Sequence, residues 1–315
     1  MYISNFIKII TISAICLTYS FSMQAQTIHA IICGGTNIND IGQGCSASVK
    51  LIEDAVDYIA AQTGMNANIV KLVGNNFEKS KIQQAISSLD AQSNDVIWFY
   101  STSHGFNYRD KPSKYNFFLA HPTKIAASPN DLARYGMSLE KEVMGNLLSK
   151  NARFTLVMGE ACNVVIDIDS PSRYNAMSTN IGKRLKELFL YSEGAVISCS
   201  SQYKQASWTD KKDGGIYTNM FINSINEVIM SSQTAKWNSV FEKTKYYVNR
   251  FKPNGQEQTP EYELIDTPIK FLRDGDRGDS RKIKSQQSEY VSCSINTYVP
   301  TKNNDRKWWQ SRRCR

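Results

Sequence analysis

The chain has 315 residues, with 37 Lys and Arg against 29 Asp and Glu, a formal charge of +8, and 41% hydrophobic residues. Three His residues, no CxxC and no HExxH leave little material for zinc. The basic excess sits in residues 273–315, which hold 11 Lys or Arg against 5 Asp or Glu. The preceding body is near neutral, so the charge gives no ground for nucleic-acid binding by the main domain.

In chain order, the first element is a removable segment. Lys8 precedes an apolar run from Ile9 to Phe21, and residues 22–26 offer a cleavage point near Ala25–Gln26. The run is shorter than the roughly 20 residues of a membrane-spanning helix. Residues 1–26 therefore read as a secretory signal peptide, and the mature protein as secreted or periplasmic. Lipidation at Cys16 is the weaker reading, because Ser13-Ala14-Ile15 is a poor lead-in. Six cysteines remain after residue 26. Cys293–Cys314 is the best disulfide candidate, while Cys33–Cys45 competes with Cys33 packing inside a strand.

The body, residues 27–272, alternates strand and helix signals. Ile28 to Cys33 reads as a buried strand stopped by Gly34-Gly35. A helix capped by Ser46 follows, with Val49, Ile52, Val56 and Ile59 on one face, ending at Gly64. Further strands are expected at Ile69–Val73, Val96–Tyr100, Phe154–Met158 and Ala195–Cys199, with a last extended piece from Thr259. Helices are expected at Phe77–Leu89, Leu139–Leu148, Ile181–Leu190, Ile216–Met230 and Trp237–Phe251. This alternation predicts an α/β fold with an open, mostly parallel sheet covered by helices on both faces. Residues 273–315 form a charged, basic C-terminal extension.

In such a sheet, reactive groups gather at the carboxyl ends of the strands. His104 follows the third strand and Cys162 the fourth, so both are expected at the same edge. A free thiol has a pKa of about 8.5; an imidazole beside it takes the proton and later delivers it to a leaving amine. Backbone N–H groups of Gly105 and Cys162 are candidates for an oxyanion hole. A lone His or a lone Cys is usually structural. The pair, in this order and each after an apolar strand, points to a nucleophile and its base. No Gly-x-Ser-x-Gly is present to support a serine hydrolase.

Tyr100-Ser101-Thr102-Ser103-His104-Gly105 resembles the strand-end His-Gly of the caspase, metacaspase and clostripain clan. Glu160-Ala161-Cys162 resembles its nucleophile signature. Ser198 to Gln202, Gly214 to Thr218 and Gln258-Thr259-Pro260 resemble its later landmarks. The resemblance implies a caspase-like three-layer sandwich around a mostly parallel six-stranded sheet. It also implies a cysteine endopeptidase working through an acyl-enzyme on Cys162, with a protein or peptide as substrate.

Two positions depart from the pattern: Asn163-Val164 after the nucleophile, and Glu160 where relatives carry Asp. In relatives, an acid two residues before the Cys lines the primary pocket. Glu160 therefore implies cleavage after Arg or Lys, with Ser200 and Trp208 as further pocket candidates; Trp208 reads equally well as core. The alternative function is a catalytically inactive caspase-like binding or regulatory module. Asp167 and Asp169 fall short of the 6–8 oxygens of a calcium site, so no cofactor is expected. The protein is expected to be a monomer, with a tail that either meets an anionic surface or folds over the domain.

Overall fold

The computed structural model describes residues 25–108, 113–124, 128–161, 163–166, 180–266 and 290–291; the side chains of 163–166, 254 and 290–291 are excluded. Six strands form the central sheet: β1 (Thr27–Gly34), β2 (Asn66–Val73), β3 (Val96–Ser103), β7 (Phe154–Ala161), β9 (Gly194–Cys199) and β12 (Glu261–Ile265). Their order is β12-β9-β7-β3-β1-β2. All pairs are parallel except β12 with β9.

The helices are α1 (Gly42–Thr63), α2 (Lys79–Ser87), α3 (Pro129–Tyr135), α4 (Gly145–Leu148), α5 (Ile181–Leu185), α6 (Ile216–Met230) and α7 (Trp237–Arg250). Wider π-turns at Leu139–Met144 and Lys186–Leu190 adjoin α4 and α5.

Strand periodicity of two sorts the core into two layers. On β3, Trp98 and Tyr100 face a cluster with Val49 of α1, Leu185 of α5, Phe221 of α6 and Trp237 of α7. Ile97 and Phe99 face the opposite cluster, with Ile82 and Ile86 of α2 and Leu147 of α4. Strands apolar on both faces cannot leave either face in water, which is why helices cover both. Trp98 packs at 5.8 Å from Phe189 and edge-on at 6.0 Å from Phe221. The expected three-layer α/β sandwich is the fold observed.

Several local expectations change. Helix α1 begins four residues before Ser46, whose Oγ donates to the Gly42 carbonyl at 2.8 Å instead of capping the helix. Gly42 can start the helix because a Cβ there would overlap the Thr36 carbonyl. Strands β3 and β7 each run three residues past the expected ends, to Ser103 and Ala161. Cys33 and Cys45 are buried free thiols and form no disulfide; Cys33 packs beneath the sheet, and Cys45 lies beside Ile38 and Ile41.

Two small sheets lack a counterpart in the sequence reading. One contains β4 (Gly105–Tyr108), β5 (Phe117–Leu119), β6 (Gly136–Ser138) and β13 (Tyr290–Val291). The other contains β8 (Asn163–Ile166), β10 (Ser207–Asp210) and β11 (Gly214–Gly215). Cys293 and Cys314 lie outside the described residues, as does the whole signal segment up to residue 24. Among the described residues, no helix is long and apolar enough to cross a membrane.

Trp98 is fully buried at the centre of the larger cluster, so its truncation leaves a void that the aromatic neighbours cannot fill. Trp98→Ala is expected to cost about 3–5 kcal/mol. Urea unfolding should show a lowered midpoint with an unchanged slope.

Candidate active site

The site lies where β3, β7 and β1 end together. The parallel register pairs Thr102 with Glu160 and Ser103 with Ala161. The residue before His104 thus stands opposite the residue before Cys162. Cys162 itself lies outside the described residues.

Ala161 is held firmly on the side away from β3. Its N–H donates to Ser200 Oγ at 3.3 Å, and the Ser200 N–H donates to the Gly159 carbonyl at 2.9 Å. Gln258 Nε2 donates to the Ser200 carbonyl at 3.0 Å. Ser200 is fully buried, so it braces the strand end before Cys162 and is no open pocket wall.

His104 is 7% exposed, and its Nε2 lies 3.1 Å from Asp40 Oδ1. Asp40 belongs to the turn between β1 and α1, which adjoins β3 in the sheet order. Burial pushes the Asp40 carboxyl up, but the hydrogen bond and charge of His104, together with the backbone N–H groups of Asp40 and Ile41, outweigh it. The net effect holds Asp40 below its ordinary value. The His104 carbonyl accepts from the Leu119 N–H at 2.9 Å, tying the histidine backbone to β5. Gly105 opens β4 opposite Phe118.

Glu160 is fully buried in a cage of donors. Ser48 Oγ, Tyr100 OH and Thr218 Oγ1 donate to Oε2 at 3.2, 2.9 and 2.8 Å, and the Thr218 N–H reaches Oε1 at 3.4 Å. The Gly215 N–H donates to Ser48 Oγ at 2.7 Å, closing the cage. Gly215 packs so closely that a Cβ there would overlap the Glu160 carboxyl. Burial raises the Glu160 pKa, and the hydrogen bonds of Thr218, Tyr100 and Ser48 offset this only in part. Glu160 was expected on an open pocket wall; the structure seals it behind the strand ends.

Trp208 is also fully buried, with its backbone N–H donating to Gln258 Oε1 at 3.1 Å and its ring in the larger core cluster. Trp208 therefore packs as part of the core. Burial raises the Cys45 thiol to about 12, so it stays protonated and takes no part as a nucleophile. Among the described residues, no group of His, Cys, Asp and Glu is placed to hold a metal ion. Asp167 and Asp169 lie outside those residues.

Sequence reasoning missed Asp40, Ser48 and Thr218. Asp40 had a usable signal, since it follows the first strand and the carboxyl ends of adjacent strands share one edge. Thr218 stood in the Gly214 to Thr218 landmark without its role being legible there, and Ser48 offered no signal, because an interior hydroxyl on a helix has no distinctive pattern.

The arrangement supplies a histidine on one strand end, a cysteine one residue past the adjacent strand end in sequence, and a carboxylate beside the histidine. The model of the caspase domain of the peptidase C14 family matches residues 68–271, well over half of the chain. The chain belongs to this caspase-domain family. Among solved structures, a protein from Geobacter sulfurreducens is similar at 16% identity, with 78% of this chain and 96% of that one covered and a TM-score of 0.45. A likeness of that size carries no argument about function. No curated protein matches the chain.

The raised Glu160 pKa has a definite sign for stability. The unfolded chain releases this proton near the ordinary carboxylate range while the folded chain retains it. The contribution is therefore complete below the unfolded value and is lost as pH rises through the folded value. Glu160→Gln removes the titration, so its stability relative to the parent should increase in urea unfolding as pH rises from the ordinary carboxylate range through the raised folded value. Glu160→Ala strands three buried hydroxyls and should cost about 1–3 kcal/mol or more across that range.

Proposed function

We propose that this chain is a secreted or periplasmic cysteine endopeptidase that cleaves after Arg or Lys, with Cys162 as nucleophile and His104 as general base. The observation that carries the reading is the β3–β7 register, in which Ser103 and Ala161 stand opposite each other immediately before the two residues. With Nε2 of His104 engaged by Asp40, Nδ1 is the nitrogen left to accept a proton.

The thiol proton passes to His104, and the thiolate attacks the scissile carbonyl. Charge on the tetrahedral oxygen is taken up by the N–H groups of Gly105 and Cys162. His104 then protonates the leaving amine, and the acyl-enzyme forms on Cys162. Water, deprotonated by the same imidazole, releases the second product.

The preference for a basic residue rests on the sign of the field at the strand ends. Asp40 lies there, and although burial raises its carboxyl, the hydrogen bond and charge of His104 and nearby backbone N–H groups hold it below its ordinary value. A negative site accepts a cationic side chain and rejects an acidic one. Because the cage closes Glu160 off from direct pairing and burial raises its carboxyl, the field comes from Asp40, and selectivity should be smaller than for a bidentate contact. Residues 1–26 serve as the export signal, and the protein acts as a monomer without a cofactor. The basic extension from residue 273 meets an anionic surface.

Fluorogenic peptides ending in Arg, Lys or Asp test the reading directly. Turnover is expected after Arg and Lys, absent in Cys162→Ala, and reduced about 10²–10⁴-fold in His104→Ala. Turnover after Asp alone would keep the peptidase and discard the basic preference. An inert protein, with and without calcium and after tail removal, would instead establish a binding module. For the tail, binding of the full chain to anionic vesicles should fall steeply as salt rises; salt-independent or absent binding counts against the surface role.

A further inference from the structure

We propose that Asp40 is a positioning residue for His104, orienting the imidazole and balancing the imidazolium that forms when His104 takes a proton. The proposal rests on the Cys162–His104 reading and adds a third member to that pair. Its basis is the 3.1 Å contact between His104 Nε2 and Asp40 Oδ1, with side-chain exposures of only 9% and 19%.

The contact is built into the scaffold. The turn carrying Asp40 is clamped to β3 by the Gly35 N–H, which donates to the Thr102 carbonyl at 3.0 Å, two residues before His104. Within the turn, the Ile38 N–H donates to the Gly35 carbonyl at 3.1 Å, and the Gly42 N–H to the Ile38 carbonyl at 2.7 Å. Thr36 Oγ1 accepts from the Gly74 N–H at 2.9 Å, fastening the turn to the end of β2. Ile38 and Ile41 flank Asp40 and are both 1% exposed, so the turn has an apolar anchor on either side. A carboxylate on so constrained a turn cannot follow the imidazole about; it dictates where the ring points.

His104 is the side chain to which Asp40 hydrogen-bonds among the described residues, and Oδ2 is buried with no hydrogen bond of its own. Among the described residues, Cys45, which stays a thiol, and the sealed Glu160 are ionisable groups close to this site, and both Asp40 and Glu160 act to raise the Cys45 thiol. Neither is a cation that could draw Asp40 away from His104. A carboxylate held ionised beside a histidine fixes the Nε2–H tautomer and leaves Nδ1 unprotonated. It also stabilises the protonated ring during turnover.

The test uses the full chain with Asp40→Asn and Asp40→Ala, followed by ¹⁵N NMR of the histidine rings and by the pH profile of kcat/KM. His104→Gln assigns the His104 signals. The parent should show the Nε2–H form at His104. Asp40→Ala should populate the Nδ1–H form and lower kcat by roughly 10–100-fold with little change in KM. Asp40→Asn keeps an accepting oxygen and should retain the tautomer while losing the charge. In both variants the imidazole limb of the profile should move to lower pH, because the protonated ring has lost its counter-charge.

An unchanged tautomer and an unmoved imidazole limb in Asp40→Ala overturn the proposal. That holds even if KM for Arg and Lys peptides rises, an outcome that assigns Asp40 to the substrate. If the parent hydrolyses no peptide, the proposed activity fails by itself, and the NMR comparison still decides whether Asp40 sets the state of His104.

Discussion

The alignment of β3 with β7 is the constraint on which the site depends. Two parallel strands, buried on both faces, have a register fixed by the layers they pack against. A one-residue slip would exchange Trp98 and Tyr100 with Ile97 and Phe99 between the two cores. The same alternation that fills the core therefore sets which strand-end residues become neighbours. Gly159 contributes to this close fit, since a Cβ there would press on Leu139.

Around that edge the protein keeps two carboxylates in opposite states. Asp40, half-buried beside a histidine, is held below its ordinary value, whereas Glu160, enclosed by hydroxyls with no cation, is raised. The difference is one of partners as much as of depth. Hydroxyl and amide dipoles offset part of the desolvation of Glu160, while a group able to carry positive charge tips Asp40 the other way. The sealed acid acts as a joint between α1, β3, β7 and α6, and the half-open acid is the one placed to affect chemistry.

The large elements were legible because their signals are local. Apolar runs marked the five parallel strands, and helical spacing gave Ile216–Met230 to the residue and Trp237–Arg250 to within one. Strand ends were harder to read. Ser101, Thr102 and Ser103 look like loop residues, yet they continue β3 because neighbouring strands satisfy their backbone groups. The small sheets were invisible for a related reason: pairs such as Gly105 with Phe118 and Ser207 with Asn163 exist only after the main sheet has brought distant segments together. Glu160 shows the limit most clearly. Its position beside Cys162 could be read from order, but its enclosure depends on Ser48, Tyr100 and Thr218, which lie in three separate stretches of the chain that no short motif joins.

The enclosure of Glu160 also bears on when the protein can become competent during synthesis and refolding. Its bonds join residues 112 positions apart at Ser48–Glu160, 118 at Tyr100–Thr218 and 167 at Ser48–Gly215. Contacts of such long range cannot form in a partial chain, and they come late in folding because the intervening loops must close first. Until residue 218 has been made and α6 has docked, the carboxylate two residues before Cys162 has an incomplete set of donors. The chain thus carries its strand-end machinery unassembled until nearly all of the domain exists.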